Sequence, residues 1–267
     1  MNKQMSLFQG VSDITPQKEL GFFGICQTRL MQRKFQPYIK TVYLCDVFSG
    51  EGHNVVNGEV LAGSPIKMAQ AIDVSGIVET KEVFLMCSDI RRDAIHTLTR
   101  YFSESDHSCE TSIYQRSASD QLRFIHDIAK QESNSHFIIT IDPNGPKTLP
   151  FKEIKDLSSD PALRNRIDFI VNISATSIKR MIRHRQSAGV NYDWWIGTIE
   201  SIGRDLVMEI AKHYKGAWIR KPLGDRQGWL MVAYFNWKPP NNDWKKAGFI
   251  DLHSVAGKQA MISYEGK

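Results

Sequence analysis

The stretch Thr41-Val-Tyr-Leu-Cys-Asp-Val-Phe-Ser-Gly-Glu-Gly52 (TVYLCDVFSGEG, residues 41–52) decides the fold. It is a β-rich apolar run that ends in small residues, and a helical pattern follows from Pro65 to about Ile72 across a loop to Gly63. The same grammar returns downstream: KEVFLMCSDI closes on Asp89 before RRDAIHTLTRYF, and a short strand at Thr111–Gln115 precedes a helix from Ala118 to about Gln131. HFIITIDPNG precedes PFKEIKDL, and RIDFIVNIS precedes ATSIKRMIRHR. Strands alternating with helical patterns predict an α/β fold with a mostly parallel sheet covered by helices on both faces. KGAWIRKP and GWLMVAYFNW break the alternation, because turn residues and not a helix separate them, and they predict a C-terminal antiparallel β-hairpin. Counted together these runs make seven strands.

Upstream, Thr15-Pro16 reads as a helix N-cap with proline in the first turn, and the helical spacing runs on to about Lys40. The expected organisation is a helical lead-in over residues 1–40, a catalytic-size domain over 41–240 and a loosely held, Lys-, Gly- and Asn-rich extension over 241–267. The 267 residues are 42% hydrophobic and 24% charged, ordinary for a globular protein, and no apolar run approaches the roughly 20 residues of a membrane span. No signal-peptide core is present at the start, so the expected location is the cytoplasm. Cys26, Cys45, Cys87 and Cys109 form no CxxC pair and read as core fillers before a metal site or disulfide. The eight histidines show no metal-ligand spacing, and no metal is expected.

Ligands of open α/β sheets bind outside the carboxyl ends of the strands, so residues just after each strand are the candidates. In Asp46-Val-Phe48-Ser-Gly50-Glu-Gly52 the two glycines let the backbone bend tightly and approach a ligand; an ordinary turn is the alternative. Asp89 stands where a carboxylate accepts both hydroxyls of a ribose, or caps the next helix. Ser117 and Ala118 either border a base edge or start a helix. Asp142, Pro143 and Asn144 form a turn whose oxygens can orient a substrate nucleophile, which is catalysis by positioning.

YLCDVFSGEG resembles motif I of class I S-adenosylmethionine-dependent methyltransferases, which implies a Rossmann-like core with S-adenosyl-L-methionine held at Asp46, Phe48, Gly50 and Gly52, so that the ribose position of Asp89 and the base-edge position of Ser117 and Ala118 would belong to the same cofactor. GEVLAGSPIKMA (58–69), IDPNGPKTLPFKEI (141–154) and VNISATSIKR (171–180) are similar, in order and wording, to the three-Cys-motif partner (TcmP) proteins, across about half the chain. Ser49 and Glu51 stand where a common TcmP form has Ala and Pro. The resemblance leaves the methyl acceptor open. DPNG is also similar to the (D/N/S)PP(Y/F/W) box of nucleic-acid amino-methyltransferases, with Asn144 in place of the second proline and Gly145 in place of the aromatic. A stacking platform for a base would then come from Tyr192, Trp194 or Trp195.

The net charge of +5 tilts slightly toward a polyanionic partner. More specific is the basic run Lys179, Arg180, Arg183, His184 and Arg185, followed by Trp194 and Trp195, a combination that pairs phosphates and stacks bases. A solvated helix face with the tryptophans in the core is the alternative. The expected function is methyl transfer to nucleic acid, DNA before RNA, with Asp142, Pro143 and Asn144 positioning the acceptor. Two other readings stay open: a methyltransferase acting on a peptide or partner protein, and a non-catalytic binding module of the same fold.

Overall fold

The computed structural model describes residues 15–143, 149–174, 210–220, 229–235 and 249–259. By its internal contacts the chain divides after Thr140 into two compact units. The first opens with α1 (Thr15–Lys34). Phe22, Ile25, Cys26, Arg29, Leu30 and Arg33 are buried at the three- and four-residue spacing of one helix face, so two arginines share the core stripe. Their guanidinium groups donate to Gln32 and Gln36, one turn on. The expected run to Lys40 stops at Lys34 because Pro37 disfavours helical backbone at the residue before it.

Next come β1 (Thr41–Asp46), the hairpin β2 (His53–Val56) and β3 (Glu59–Ala62), and α2 (Ser64–Ser75). α2 carries Pro65 in its first turn and ends on Gly76 in the left-handed conformation, φ 58°. After a short 3₁₀ turn follow β4 (Glu82–Asp89), α3 (Arg92–Glu104), β5 (Glu110–Gln115), α4 (Ala118–Gln131) and β6 (Ser135–Ile141). The strands stand in the order β5-β4-β1-β6, every described pairing parallel. From β1 the chain steps outward to β4 and β5 and then returns to β1's other side at β6. That reversal is the topological switch point of a Rossmann-like sheet. Val42 to Asp46 are buried in succession, so β1 is covered on both faces. The register sets Tyr43 opposite Phe84 and Phe137, with ring centroids 5.1 and 4.7 Å away in a three-ring stack.

The second unit contains α5 (Phe151–Ser159), β7 (Ile167–Ser174), β8 (Gly216–Arg220), β9 (Trp229–Phe235) and β10 (Phe249–Asp251). The expected hairpin is β8–β9, but β9 also pairs with β7, which places it between two strands that both run against it. β10 pairs antiparallel with β8. Apart from the β2–β3 hairpin, the described strands therefore number eight and not the expected seven. The eighth lies in the stretch read as a loose extension, because three residues are too few to show a period of two.

Among the described residues no helix is long and apolar enough to cross a membrane. Cys26, Cys45 and Cys87 are buried free thiols, as the core-filler reading requires, and Cys109 is half-buried. Burial pushes the Cys109 thiol up to about 11.

Candidate cofactor site

The turn after β1 is built from buried polar side chains. Asp46 is only 1% exposed. Its Oδ1 accepts the Phe48 amide at 3.0 Å and its Oδ2 accepts the Ser64 hydroxyl at 2.5 Å, tying the turn to the first residue of α2. Ser49 fastens the same turn to β4. Its hydroxyl donates to the Asp46 carbonyl at 2.9 Å and accepts the Ser88 amide at 3.0 Å, while its amide donates to the Ser88 carbonyl at 2.9 Å.

Gly50 (φ 58°) and Gly52 (φ 80°) occupy backbone conformations that side chains rarely adopt. At Gly52 a Cβ would also lie 2.6 Å from Leu98 Cδ1. The Gly63 amide donates to the Gly52 carbonyl at 2.7 Å, closing the base of the β2–β3 hairpin. Gly50 is thus required by conformation, and Gly52 by conformation and close packing.

Asp89 brings three strand ends together. Its Oδ2 accepts the Gly50 amide at 3.1 Å and its Oδ1 accepts the Arg91 amide at 2.8 Å, with Arg91 Nε 3.4 Å from the same oxygen. The Arg116 amide, just past β5, donates to the Asp89 carbonyl at 3.1 Å. The pairing of glycine turn and strand-end carboxylate is therefore present, and Asp89 also orders the residues entering α3. Ionised carboxylate oxygens offer about four lone-pair positions, so the protein's own donors leave Asp89 room for a further hydrogen bond.

Ile90, beside Asp89, is 69% exposed, an apolar surface that the reading by glycines and carboxylates missed; its signal was an isoleucine directly after the strand-end acid. Ser117 takes the helix-capping role, its hydroxyl accepting the Asp120 amide at 3.1 Å, and Ala118 is buried behind it. The Arg116 guanidinium stacks on Tyr114 and Phe124 at 4.2 and 4.5 Å from the ring centroids.

In the second unit Asp142 Oδ1 accepts Asn172 Nδ2 at 2.7 Å. Asn172 is 6% exposed and its Oδ1 is buried with no hydrogen bond. This partner escaped the sequence reading, although a lone amide within the apolar strand IDFIVNIS is an audible signal. Pro143 is buried; Asn144 lies outside the described residues, as do Lys179, Arg180, Arg183, Arg185, Trp194 and Trp195.

A Rossmann-like sheet whose switch-point strand ends in a double-glycine bend, latched by the carboxylate of the neighbouring strand, presents that bend at the carboxyl ends of the strands, where open α/β sheets bind their ligands. No protein-family model matches the chain, and no curated protein matches it in sequence. Among solved structures it is similar to protein LPL1258 from Legionella pneumophila, with a TM-score of 0.53 and 10% identity over 85% of this chain and 88% of that one. At that identity the likeness is one of fold. Two other structures align with lower scores. Human methyltransferase-like protein 13 in complex with SAH has a TM-score of 0.44 and 14% identity, covering 93% of each chain. M. capricolum TrmK in complex with S-adenosyl-homocysteine has a TM-score of 0.38 and 10% identity over 79% of this chain and 68% of that one.

Proposed function

We propose that the protein is an S-adenosylmethionine-dependent methyltransferase acting on nucleic acid, DNA before RNA. The observation that carries the reading is the 3.1 Å hydrogen bond from Gly50 to Asp89, made where two adjacent parallel strands end. The surroundings fit a nucleoside. Gly50 and Gly52 let backbone approach a ligand, Asp89 keeps lone-pair capacity for ribose hydroxyls, and the exposed Ile90 offers a flat apolar contact for a ring. In this reading Ser117 and Ala118, at the start of α4, keep the place at the ring edge while the Ser117 hydroxyl also caps the helix. Asp46 and Phe48 shape the turn, with the Asp46 carboxylate held inside the protein.

The donor, when bound, supplies an electrophilic methyl group. The chain's part is to orient the acceptor, and Asp142, held by Asn172, has the chemistry to accept a hydrogen from an amine and leave the amine's lone pair available for methyl transfer. Pro143 and Asn144 complete this corner in the reading. The likeness of residues 58–69, 141–154 and 171–180 to the TcmP proteins supports a methyltransferase without naming its acceptor. The nucleic-acid assignment rests on the basic and aromatic run from Lys179 to Trp195.

The test is transfer of radiolabelled methyl from S-adenosylmethionine to DNA, RNA and protein pools by the full chain and by Asp142→Ala. Label in DNA, falling about 100-fold in the variant, is expected. Labelling of protein alone overturns the substrate assignment, and retention of the donor with no label in any pool overturns the enzymatic one.

A further inference from the structure

We propose that a groove at the amino ends of β1, β4 and β6 is a second ligand site, shaped for a planar aromatic ring that carries one negative charge. The groove lies wholly in the first unit, and Thr41, Glu82 and Ser135, the first residues of those three strands, line it. Cofactors of open α/β sheets bind at the carboxyl ends, so this groove stands at the opposite end of the sheet from the glycine bend. Its volume is about 880 Å³, within the roughly 300–1,000 Å³ of small-molecule pockets.

The floor asks for a ring. Tyr43 and Phe84 both line the groove, near-parallel at 18°, with Phe137 stacked behind Tyr43 at 8°. Phe84 is half-buried and keeps ring surface on the groove. Pro37, Ile39 and Val78 add apolar wall. A flat aromatic body covers such a floor with more contact area than a flexible chain and loses less rotational freedom in doing so.

The rim sets the charge. Lys40, Lys81, Glu82 and Glu132 line it, and three of the four are engaged. Lys81 Nζ donates to the carbonyls of Gln36 and Ile39 at 2.9 and 2.7 Å. Glu82 Oε2 accepts the Thr41 hydroxyl at 3.1 Å, and both Glu132 oxygens lie 2.9 Å from the Tyr43 hydroxyl. Burial, and then the bond to Glu132, hold that hydroxyl far above the usual tyrosine range, so it stays a donor.

Lys40 differs. Its amide donates to the Asn134 carbonyl at 2.9 Å and its carbonyl accepts the Glu82 amide at 3.1 Å, which fixes its backbone between two strand starts. Its ammonium takes no hydrogen bond or ion pair from a described residue. One uncommitted cation beside an aromatic floor matches a ring with one anionic group, and the third N–H of Lys81 can serve the same anion. The carboxylates of Glu82 and Glu132 oppose a second negative charge, so a carboxylate fits where a phosphate dianion does not.

The experiment is an NMR titration of the isotope-labelled full chain with four probes: indole-3-acetate; tryptamine, which keeps the indole and reverses the charge; acetate, which lacks the ring; and indoxyl phosphate, which carries two charges at about pH 8. Indole-3-acetate should bind at about 1 mM or tighter and shift the amides of Lys40, Lys81 and Asn134, with the other three at least about 10-fold weaker. Lys40→Met, a change at an exposed side chain, should weaken indole-3-acetate by about 5- to 10-fold at an unchanged thermal midpoint. Phe84→Leu should weaken it by about 3- to 10-fold. Absence of those shifts up to about 10 mM, or full affinity in Lys40→Met, would overturn the site. Tryptamine or indoxyl phosphate binding as tightly as indole-3-acetate would overturn the single negative charge, and acetate doing so would overturn the ring.

Discussion

In the first unit each pairing in the main sheet is parallel, and a helix separates β4 from β5 and β5 from β6; in the second, every described pairing is antiparallel and β9 enters between β7 and β8. Parallel neighbours need a crossover of a dozen or more residues, so each strand there announces itself through the helix that follows it. Antiparallel neighbours need no such spacer, and their order depends on contacts distant in sequence. The two regions also anchor their close-packed glycines differently. A Cβ on Gly52 would meet the side chain of Leu98, whereas one on Gly257 would lie 2.1 Å from the Asp251 carbonyl oxygen and 2.7 Å from Leu252 Cα, which are backbone.

That difference can be broken by substitution. Gly257→Ala is expected to cost roughly 3 kcal/mol or more, because backbone beside β10 must move to admit the methyl group. Gly52→Ala, which combines a φ of 80° with crowding against a movable side chain, is expected to cost about 2–4 kcal/mol. Urea unfolding of both measures the ranking, and a Gly257→Ala protein as stable as wild type would show that β10 is not seated as described.

Buried hydroxyls sharpen the contrast at smaller magnitude. Ser49→Ala leaves the buried Ser88 amide without its acceptor, so a loss of about 1–3 kcal/mol is expected. The Tyr214 hydroxyl is buried with no hydrogen bond, and burial together with the nearby Asp168 charge holds it far above the usual tyrosine range. Tyr214→Phe should therefore change stability by less than about 0.5 kcal/mol, or raise it. Thermal denaturation of the two single variants decides the point, and equal penalties would erase the distinction.

The smallest effect is electrostatic and belongs to the first unit. Burial pushes the Asp73 carboxyl up, but hydrogen bonds from the Ser108 hydroxyl, the His107 ring and the Ser108 amide outweigh it and hold the group below the usual carboxylate range. A depressed folded value means that its stabilisation is present above the unfolded pKa, about 4, and fades as pH falls through the folded one. The gap in urea midpoint between wild type and Asp73→Asn should thus narrow steadily below about pH 4; a gap constant down to pH 2 would remove Asp73 from the acid response.

Legibility followed the same divide. Periodicity alone found α4 at Ala118–Gln131 and the strand closing on Asp89, because local spacing and a terminal polar residue mark both. The pairing of Gly50 with Asp89 was legible once parallel neighbours were assumed. The β2–β3 hairpin passed for a loop despite Asn57-Gly58, whose positive φ angles of 51° and 86° suit a tight hairpin turn, since its four-residue strands are mostly half-exposed. The groove of Lys40, Phe84 and Glu132 was invisible because its residues come from three separate stretches and nothing in any local pattern points to the others. Asn172 required knowing that β7 carries it to Asp142.

The clasp between Gly52 and Gly63 has a practical side. With both feet of the hairpin joined by a 2.7 Å hydrogen bond, its tip at Asn57-Gly58 behaves as a detachable fingertip on a fixed knuckle. A short epitope or fluorophore-bearing peptide spliced there would inherit the hairpin's exposed position, while the bend beneath keeps its shape.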